Sequence, residues 1–483
     1  MIPHARRLVL VLLLALAACG GGGGGDNGDT PPGTIGTLAY VLTECRDTSD
    51  GFSEHLQLRI RQGDHEPITV AEPPGVGPVG GAFGLCRAVT RGRFGDGIIL
   101  RESIQAVLVS PDGETVAFQV SDAFSISPPL PLHIPPDEQG IFVVRSDGTG
   151  LRRLGPPSRE PFAVLDALGI DTFPNMLFSP DGHQLAVVDK GPDANGNETS
   201  QVILFDVASG TRTQITHLPP AAPPAGSAAN TPTIEGMRFV DNETIAFFTG
   251  STLGTQVVFT VKTRTPFDVR PVTVPIVLPG GGIVPIFAIT GARPFAAALD
   301  LPGTPVNDAI PGRNTISEIF VLDGTNLLQL TTFRRDDTGV GGRKLVDVDG
   351  ERVYLPASAN PPELGDSNPS ENCQIFSVDR NGSDLRQLTT FSEAPHSKSG
   401  CLYTPGPGCT SGLIAQDTRT RQLIMYSSCN PLGTTPDGAQ VLAMNPDGSG
   451  LQQLTDARGL VQEPDGTFLG ELPGLVAYGP YLP

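Results

Sequence analysis

The chain alternates short apolar runs with tight polar turns along most of its length. The segment 107–118 reads Val-Leu-Val-Ser-Pro-Asp-Gly-Glu-Thr-Val-Ala-Phe, the segment 176–188 carries its own Ser-Pro-Asp-Gly in the same place, and 237–248 is a degenerate copy. Proline presets φ for a turn, and Asp-Gly completes the turn without a Cβ penalty. Each segment therefore predicts two neighbouring strands joined by a tight turn.

A second repeated pattern predicts β-hairpins. An alternating run leads into Asn-Gly or Asp-Gly, and a short strand ending in Leu-Thr follows, as in 375–389. Two further copies are weak. The well-formed copies lie at 141–154, 202–215, 319–330, 375–388 and 441–454, and the weak ones at 56–70 and 257–272.

Together the two patterns resemble the TolB-type (PD40, WD40-like) β-propeller repeat over about residues 35–456. In that family a Ser-Pro-Asp-Gly turn joins two neighbouring strands of one blade. The chain departs from the family in having no tryptophan. Phe178, Phe239 and Val109 stand where the family usually has an aromatic residue.

The resemblance implies an all-β fold, a single propeller of four-stranded blades over residues 35–483. The hairpin count favours seven blades, with six, as in TolB, as the alternative. Equivalent turns are farther apart than the ~40–45 residues of a bare blade, which predicts long inserted loops at 128–136, 219–232 and 356–369. We expect the ring to close by pairing the run 38–41 with the C-terminal run 475–478.

The N-terminus predicts export. Arg6 and Arg7 precede a wholly apolar run, 8–16, which is too short to span a bilayer. Leu16-Ala17-Ala18-Cys19 resembles a bacterial lipobox, which implies a signal peptide over 1–18 and lipid on Cys19. An ordinary signal peptide with a chance cysteine and a twin-arginine signal are the alternatives.

Residues 19–34 predict a flexible tether, because six glycines follow Cys19 and glycine loses the most backbone entropy on ordering. Two acyl chains are what stable anchoring needs. Gly20 stands where an aspartate would signal inner-membrane retention in enteric-type sorting, so that resemblance implies the outer membrane rather than the inner one.

Composition narrows the classes of partner and of fold. Glycine (59) and proline (47) are too frequent for a helical protein, and the formal charge of −19 excludes binding to nucleic acid or to an anionic membrane surface through bulk electrostatics. We expect a soluble monomeric domain whose membrane contact runs through the lipid. Attachment then depends on Cys19.

Six cysteines remain after Cys19, and an even number in an exported chain predicts disulfides. We expect Cys45 to pair with Cys86. The other four should pair among themselves in a connectivity that the sequence leaves open. They are Cys373, Cys401, Cys409 and Cys429.

The chain shows little catalytic chemistry. Gly365-Asp366-Ser367 lacks the Gly-x-Ser-x-Gly context of a hydrolase nucleophile. Because the predicted propeller takes up residues 35–483, we expect no α/β-hydrolase domain of the kind that propeller-bearing prolyl peptidases carry. One loop offers hard oxygen ligands for Ca²⁺, although a plain Asn/Gly hairpin connection explains it better. Its candidate ligands are Asp193, Asn195, Asn197 and Glu198. We therefore expect no catalytic residue and no cofactor other than this weak calcium candidate.

Two functions follow as hypotheses. The first is a non-catalytic scaffold at the cell envelope that binds a protein or peptide through a propeller face or the central funnel. The second is an envelope enzyme, lyase-like or hydrolase-like, or a carbohydrate-binding protein with its site in the funnel. Fold alone does not decide between them.

Overall fold

A computed structural model describes most of the predicted propeller. The chain divides into two units, 1–33 and 34–483, and the described residues all belong to the second. They are 35–48, 51–73, 104–121, 134–160, 175–219, 234, 236–249, 257–272, 294–298, 317–323, 326–333, 345–346, 350–391, 401, 409, 411–434, 439–462 and 468–480. The signal peptide, Cys19, the glycine tether and Cys86 lie outside these ranges.

The described residues form seven antiparallel sheets, which we call blades 1 to 7 in chain order. Blade 1 contains β1 (Thr37–Thr48), β2 (Gly51–Gln62), β3 (Ile68–Ala71), β26 (Gly459–Gln462) and β27 (Phe468–Gly479). Blade 2 contains β4 (Ile104–Val109), β5 (Thr115–Val120), β6 (Gly140–Arg145) and β7 (Arg152–Gly155). Blade 3 contains β8 (Met176–Phe178), β9 (Gln184–Pro192), β10 (Glu198–Asp206) and β11 (Arg212–Gln214).

Blades 4 to 7 follow in chain order, with four strands in blades 4 and 7 and three described strands in blades 5 and 6. Blade 4 contains β12 (Gly236–Asp241), β13 (Thr244–Thr249), β14 (Val257–Lys262) and β15 (Val269–Val272). Blade 5 contains β16 (Pro294–Ala298), β17 (Ser317–Asp323) and β18 (Asn326–Gln329), and blade 6 contains β19 (Arg352–Ala357), β20 (Gln374–Asp379) and β21 (Arg386–Gln387). Blade 7 contains β22 (Ser411–Gln416), β23 (Leu423–Ser427), β24 (Gln440–Met444) and β25 (Gln452–Gln453). A bridge from Val346 to Tyr354 marks a further strand position in blade 6.

The hydrophobic core lies between neighbouring blades. Consecutive residues of a strand point to opposite faces of its sheet, so in β9 Val187 packs against blade 2 and Val188 against blade 4. This explains why inner strands read as continuous apolar runs rather than as alternating ones. In the described residues, six such clusters join blades 1–2, 2–3, 3–4, 5–6, 6–7 and 7–1.

These contacts link the blades in series from blade 5 through blades 6, 7, 1, 2 and 3 to blade 4, as in a propeller. The all-β propeller is thereby confirmed, and the seven sheets agree with the preferred blade number. All seven predicted hairpins, the two weak ones included, form the outer pair of one blade each. The ring closes as expected, because β1 pairs with β27 and places Leu38 opposite Tyr478 and Ala39 opposite Ala477. One predicted loop boundary is wrong: Pro356 and Ala357 belong to β19, where both are buried.

Strand direction divides the connections between two faces of the ring. Turns from the first to the second strand of a blade, and from the third to the fourth, lie at one end, which we call the turn face. Connections from the second to the third strand, and from each blade to the next, lie at the opposite end, the loop face. Among the described connections, the longest at the turn face is 445–451, whereas the strand ends that border 72–103, 299–316 and 358–373 lie at the loop face.

Candidate functional site

The turn face is built of small, self-contained turns. In the Ser-Pro-Asp-Gly turn of blade 2, Ser110 donates from its hydroxyl to Asp112, whose Oδ1 accepts the backbone N–H of Glu114 at 2.9 Å. Ser179 and Asp181 repeat this arrangement in blade 3. These side chains are occupied in closing the turns, as their sequence context predicts.

The loop face carries the described disulfides. Cys373 pairs with Cys401, and Cys409 pairs with Cys429, which confirms that the four C-terminal cysteines pair with one another. Each bridge joins the connection between blades 6 and 7 to a loop within one of those blades. Cross-links of this kind reduce the conformational freedom of long connections. Cys45, near the loop-face end of β1, is also disulfide-bonded, to a partner outside the described residues; Cys86 remains the predicted one.

The connection from β19 to β20 has its own internal framework. The buried Asn368 side chain donates to the backbone oxygens of Ala359 at 2.9 Å and Asn372 at 2.8 Å, and its backbone N–H donates to Asn360 Oδ1 at 2.9 Å. The neighbouring Ser367 hydroxyl donates to the Gln387 side chain. The loop is therefore fixed by hydrogen bonds at a face where most connections are long.

The calcium candidate is a hairpin turn in the structure. Asp193 Oδ1 accepts the backbone N–H groups of Asn195 and Asn197, each at 2.8 Å, and Asn197 also donates from its side chain to Oδ2 at 3.1 Å. These bonds, the Asn197 side chain first, hold the pKa of Asp193 below its usual range. Glu198 instead forms an ion pair with Arg159 at 2.7 Å. The carboxylates thus serve the β9–β10 hairpin, and the geometry lends the calcium hypothesis no support.

A charged network beside this hairpin has no counterpart in the sequence motifs. The Lys190 ammonium lies 2.6 Å from the buried carboxylate of Glu160, and Arg212 lies 3.1 Å from the buried carboxylate of Asp189. The backbone N–H of Arg159 donates to the same Asp189 carboxylate at 2.9 Å. The network pins the connection between blades 2 and 3 onto β9 and gives each buried acid a basic partner.

The innermost strands border the central channel. Inner strands of neighbouring blades contact one another, as β27 does with β4 and β4 with β8. Their partly exposed side chains are mainly apolar and include Ala106, Leu108, Leu177 and Ala415. One inner strand, β12, instead carries the partly exposed Arg238. Within the described ranges, no three His, Cys, Asp or Glu side chains are grouped so as to hold a metal ion.

The portion of the chain that the structure describes contains no helix that is both long and apolar enough to cross a membrane.

Solved structures with a similar fold include peptidase propellers and TolB. The chain is 11% identical to an acylaminoacyl peptidase from Pyrococcus horikoshii, with a TM-score of 0.41, over 87% of this chain and 51% of that one. It is 9% identical to the β-propeller domain of the Trilobed protease from Pyrococcus furiosus, with a TM-score of 0.40, over 87% and 98%. It is 15% identical to TolB from Acinetobacter baumannii, with a TM-score of 0.31, over 91% and 82%.

The chain spans about half the length of the acylaminoacyl peptidase that it matches. No protein-family model matches the sequence, and neither does any curated protein. Sequence identities of 9–15% to these solved structures bear on the fold alone.

Proposed function

We propose that this chain is a lipid-anchored binding protein of the bacterial cell envelope, which holds a protein or peptide partner at the loop face of its propeller. One observation carries the proposal: long connections and described disulfides are concentrated at one face, whereas the described connections at the opposite face are short turns. Binding residues in scaffold folds gather on loops that a rigid framework positions.

The cross-links add to this argument. A long connection that orders only on binding loses entropy at that moment, and pre-ordering it lowers that cost. The disulfides at Cys373–Cys401 and Cys409–Cys429 and the bonds of Asn368 order the loop face in advance. Disulfides also fit an oxidising compartment, in agreement with the export signal. The Cys19 lipid and the tether 19–34 would hold the propeller near a membrane, with the outer membrane as the proposed address.

Photo-crosslinking at two matched leucines tests the proposal. Leu432 is 42% exposed in a loop-face turn that follows the Cys409–Cys429 bridge, and Leu151 is 48% exposed at the turn face. Each is replaced by a benzophenone-bearing phenylalanine in the full chain, which is expressed in its native host and cross-linked in the intact cell envelope. We expect a discrete cross-linked species from position 432 and none from position 151.

A variant of the bridge supplies the second arm. Cys409→Ala with Cys429→Ala frees the loop while leaving Leu432 in place, so the cross-linked species should weaken. Equal cross-linking from both leucines, or cross-linking from Leu151 alone, would overturn the assignment of the loop face. Cross-linking from Leu432 that is unchanged without the bridge would show that pre-ordering by this disulfide plays no part.

A further inference from the structure

Arg238 interrupts the structural repeat at the innermost strand of blade 4. In blades 2 and 3 the equivalent residues are Leu108 and Leu177, each followed by the last apolar residue before the turn. The pairing shows the equivalence directly, because all three residues lie opposite an alanine of the next strand. The pairs are Leu108 with Ala117, Leu177 with Ala186 and Arg238 with Ala246.

The side of the strand on which Arg238 lies follows from its neighbours. Met237 and Phe239 pack into the core between blades 3 and 4. Since side chains alternate along a strand, Arg238 projects to the other side, towards blade 5. Leu177 has the same position one blade earlier and packs forward, partly buried, against the next interface. Arg238 is likewise partly buried, at mid-length of the innermost strand.

The guanidinium of Arg238 has no acceptor among the described residues, since it takes part in no ion pair or side-chain hydrogen bond there. This is unusual in a chain of net charge −19, where carboxylates are plentiful. A charged group that loses water without gaining a partner lowers stability. The leucine of the sister blades would avoid that cost, so the arginine calls for a partner that comes from outside.

We infer that Arg238 anchors an anion subsite in the central channel and that its ligand presents a carboxylate. The planar guanidinium offers paired N–H donors that match a carboxylate in bidentate geometry. The partly exposed side chains of Ala106, Leu108 and Leu177 make the described channel wall apolar, and charge-assisted hydrogen bonds strengthen where water is scarce. The carboxylate belongs either to a peptide C-terminus or to a small organic acid. The subsite does not depend on the proposed loop-face function.

Binding of trifluoroacetate, followed by ¹⁹F NMR at low ionic strength, tests the subsite. The test variant is Arg238→Leu, which restores the residue of blades 2 and 3. The matched control is Arg153→Leu, the same change at an exposed position on the outer strand β7. We expect saturable binding of trifluoroacetate by the wild type and by the control. Arg238→Leu should raise the dissociation constant roughly tenfold or more, because one charge-assisted pair is lost.

Stability provides a readout that a structural role would move the other way. If Arg238 awaits a ligand, Arg238→Leu raises the urea midpoint of the free protein, because an unpartnered charge gives way to an apolar residue. A lowered midpoint would assign the arginine to the framework and overturn the inference. So would equal trifluoroacetate affinity in wild type and Arg238→Leu, or an absence of saturable binding by the wild type.

Competition distinguishes the two sources of carboxylate. Acetyl-trialanine and its C-terminal amide are each added to the complex with trifluoroacetate, and acetate serves as the small acid. Displacement by the peptide acid but not by the amide supports a peptide C-terminus. Displacement by acetate alone supports a small organic acid. Displacement by acid and amide alike would show that the carboxylate is not what binds, and would overturn the inference.

Discussion

The hydroxyl of Tyr478 donates a hydrogen bond to the carboxylate of Asp417, and both residues are buried. Tyr478 lies at the end of β27 in blade 1, and Asp417 lies in a turn of blade 7. The backbone N–H of Gly36, just before β1, donates to the same carboxylate at 3.2 Å. Asp417 therefore fastens both strands that close the ring to the neighbouring blade.

Removing one hydroxyl should loosen this closure. Tyr478→Phe leaves the Asp417 carboxylate buried with one donor fewer, so we expect the free energy of unfolding to fall by about 1.5–3 kcal/mol. A double-mutant cycle with Asp417→Asn, measured by urea denaturation, isolates the pair. Additive effects of the two substitutions would show that the residues are not coupled.

The same pair predicts how stability responds to alkali. Burial, and then the Asp417 carboxylate, raise the pKa of Tyr478 above its usual value. In the unfolded chain a tyrosine loses its proton at about pH 10. The folded chain keeps that proton, so the stabilisation is complete below about pH 10 and is lost as the pH rises towards the folded pKa.

The urea midpoint of the wild type should therefore be lower above about pH 10 than below it. Tyr478→Phe should show a smaller fall, because one shifted tyrosine is gone. Tyr40 and Tyr426, whose pKa values burial also raises, account for a remaining slope. A steeper fall in Tyr478→Phe than in the wild type would contradict the assignment.

Local chemistry explains why the hairpins were predictable and the closure contact was not. An Asn-Gly or Asp-Gly turn is specified by adjacent residues, so the copy at 375–388, with Asn381-Gly382, was placed correctly as β20 and β21. The bond between Tyr478 and Asp417 joins residues 61 positions apart, and nothing near either one announces it. Arg238 becomes informative only when the structure aligns it with Leu108 and Leu177.

A buried polar repeat was also missed, although the sequence contains its signal. In blade 6 the Thr389 hydroxyl donates to Gln374 at 2.7 Å and accepts the backbone N–H of Ile375. Gln440 and Thr455 make the same contact in blade 7. Each glutamine begins the third strand of its blade, and each threonine follows the fourth, so an alignment of the hairpins would have revealed the pair. The calcium hypothesis stays a prediction, because asparagine and aspartate favour tight turns as well as metal loops and the sequence does not separate the two.

Gly412 makes room for an aromatic ring across the sheet. It pairs with Tyr426, and a Cβ at Gly412 would lie 2.4 Å from both Cζ and Oη of that side chain. The neighbouring structure would have to shift, so we expect Gly412→Ala to lower the free energy of unfolding by about 1–3 kcal/mol. Denaturation in urea measures the change.

Gly474 is the matched control for that substitution. It lies within β27, and a Cβ there would have no atom within 4 Å. Gly474→Ala should therefore leave stability unchanged or raise it by up to about 1 kcal/mol, since alanine has less freedom to lose than glycine. If both substitutions lowered stability equally, a general intolerance of these strands to alanine would explain the loss, and contact with Tyr426 would not.

If Cys19 carries lipid, the protein should incorporate a fatty-acid label at that residue. Cells grown with an alkyne-bearing fatty acid should yield a labelled protein that sediments with membranes. In the proposal the acyl chains are what attaches the propeller to the membrane. Cys19→Ala should abolish the label, and the protein should no longer be cut before residue 19. Cys86→Ala removes a different cysteine and should leave the label intact. Label that persists in Cys19→Ala, or that disappears in Cys86→Ala, would place the lipid elsewhere and remove the basis for tethering the propeller through residues 19–34.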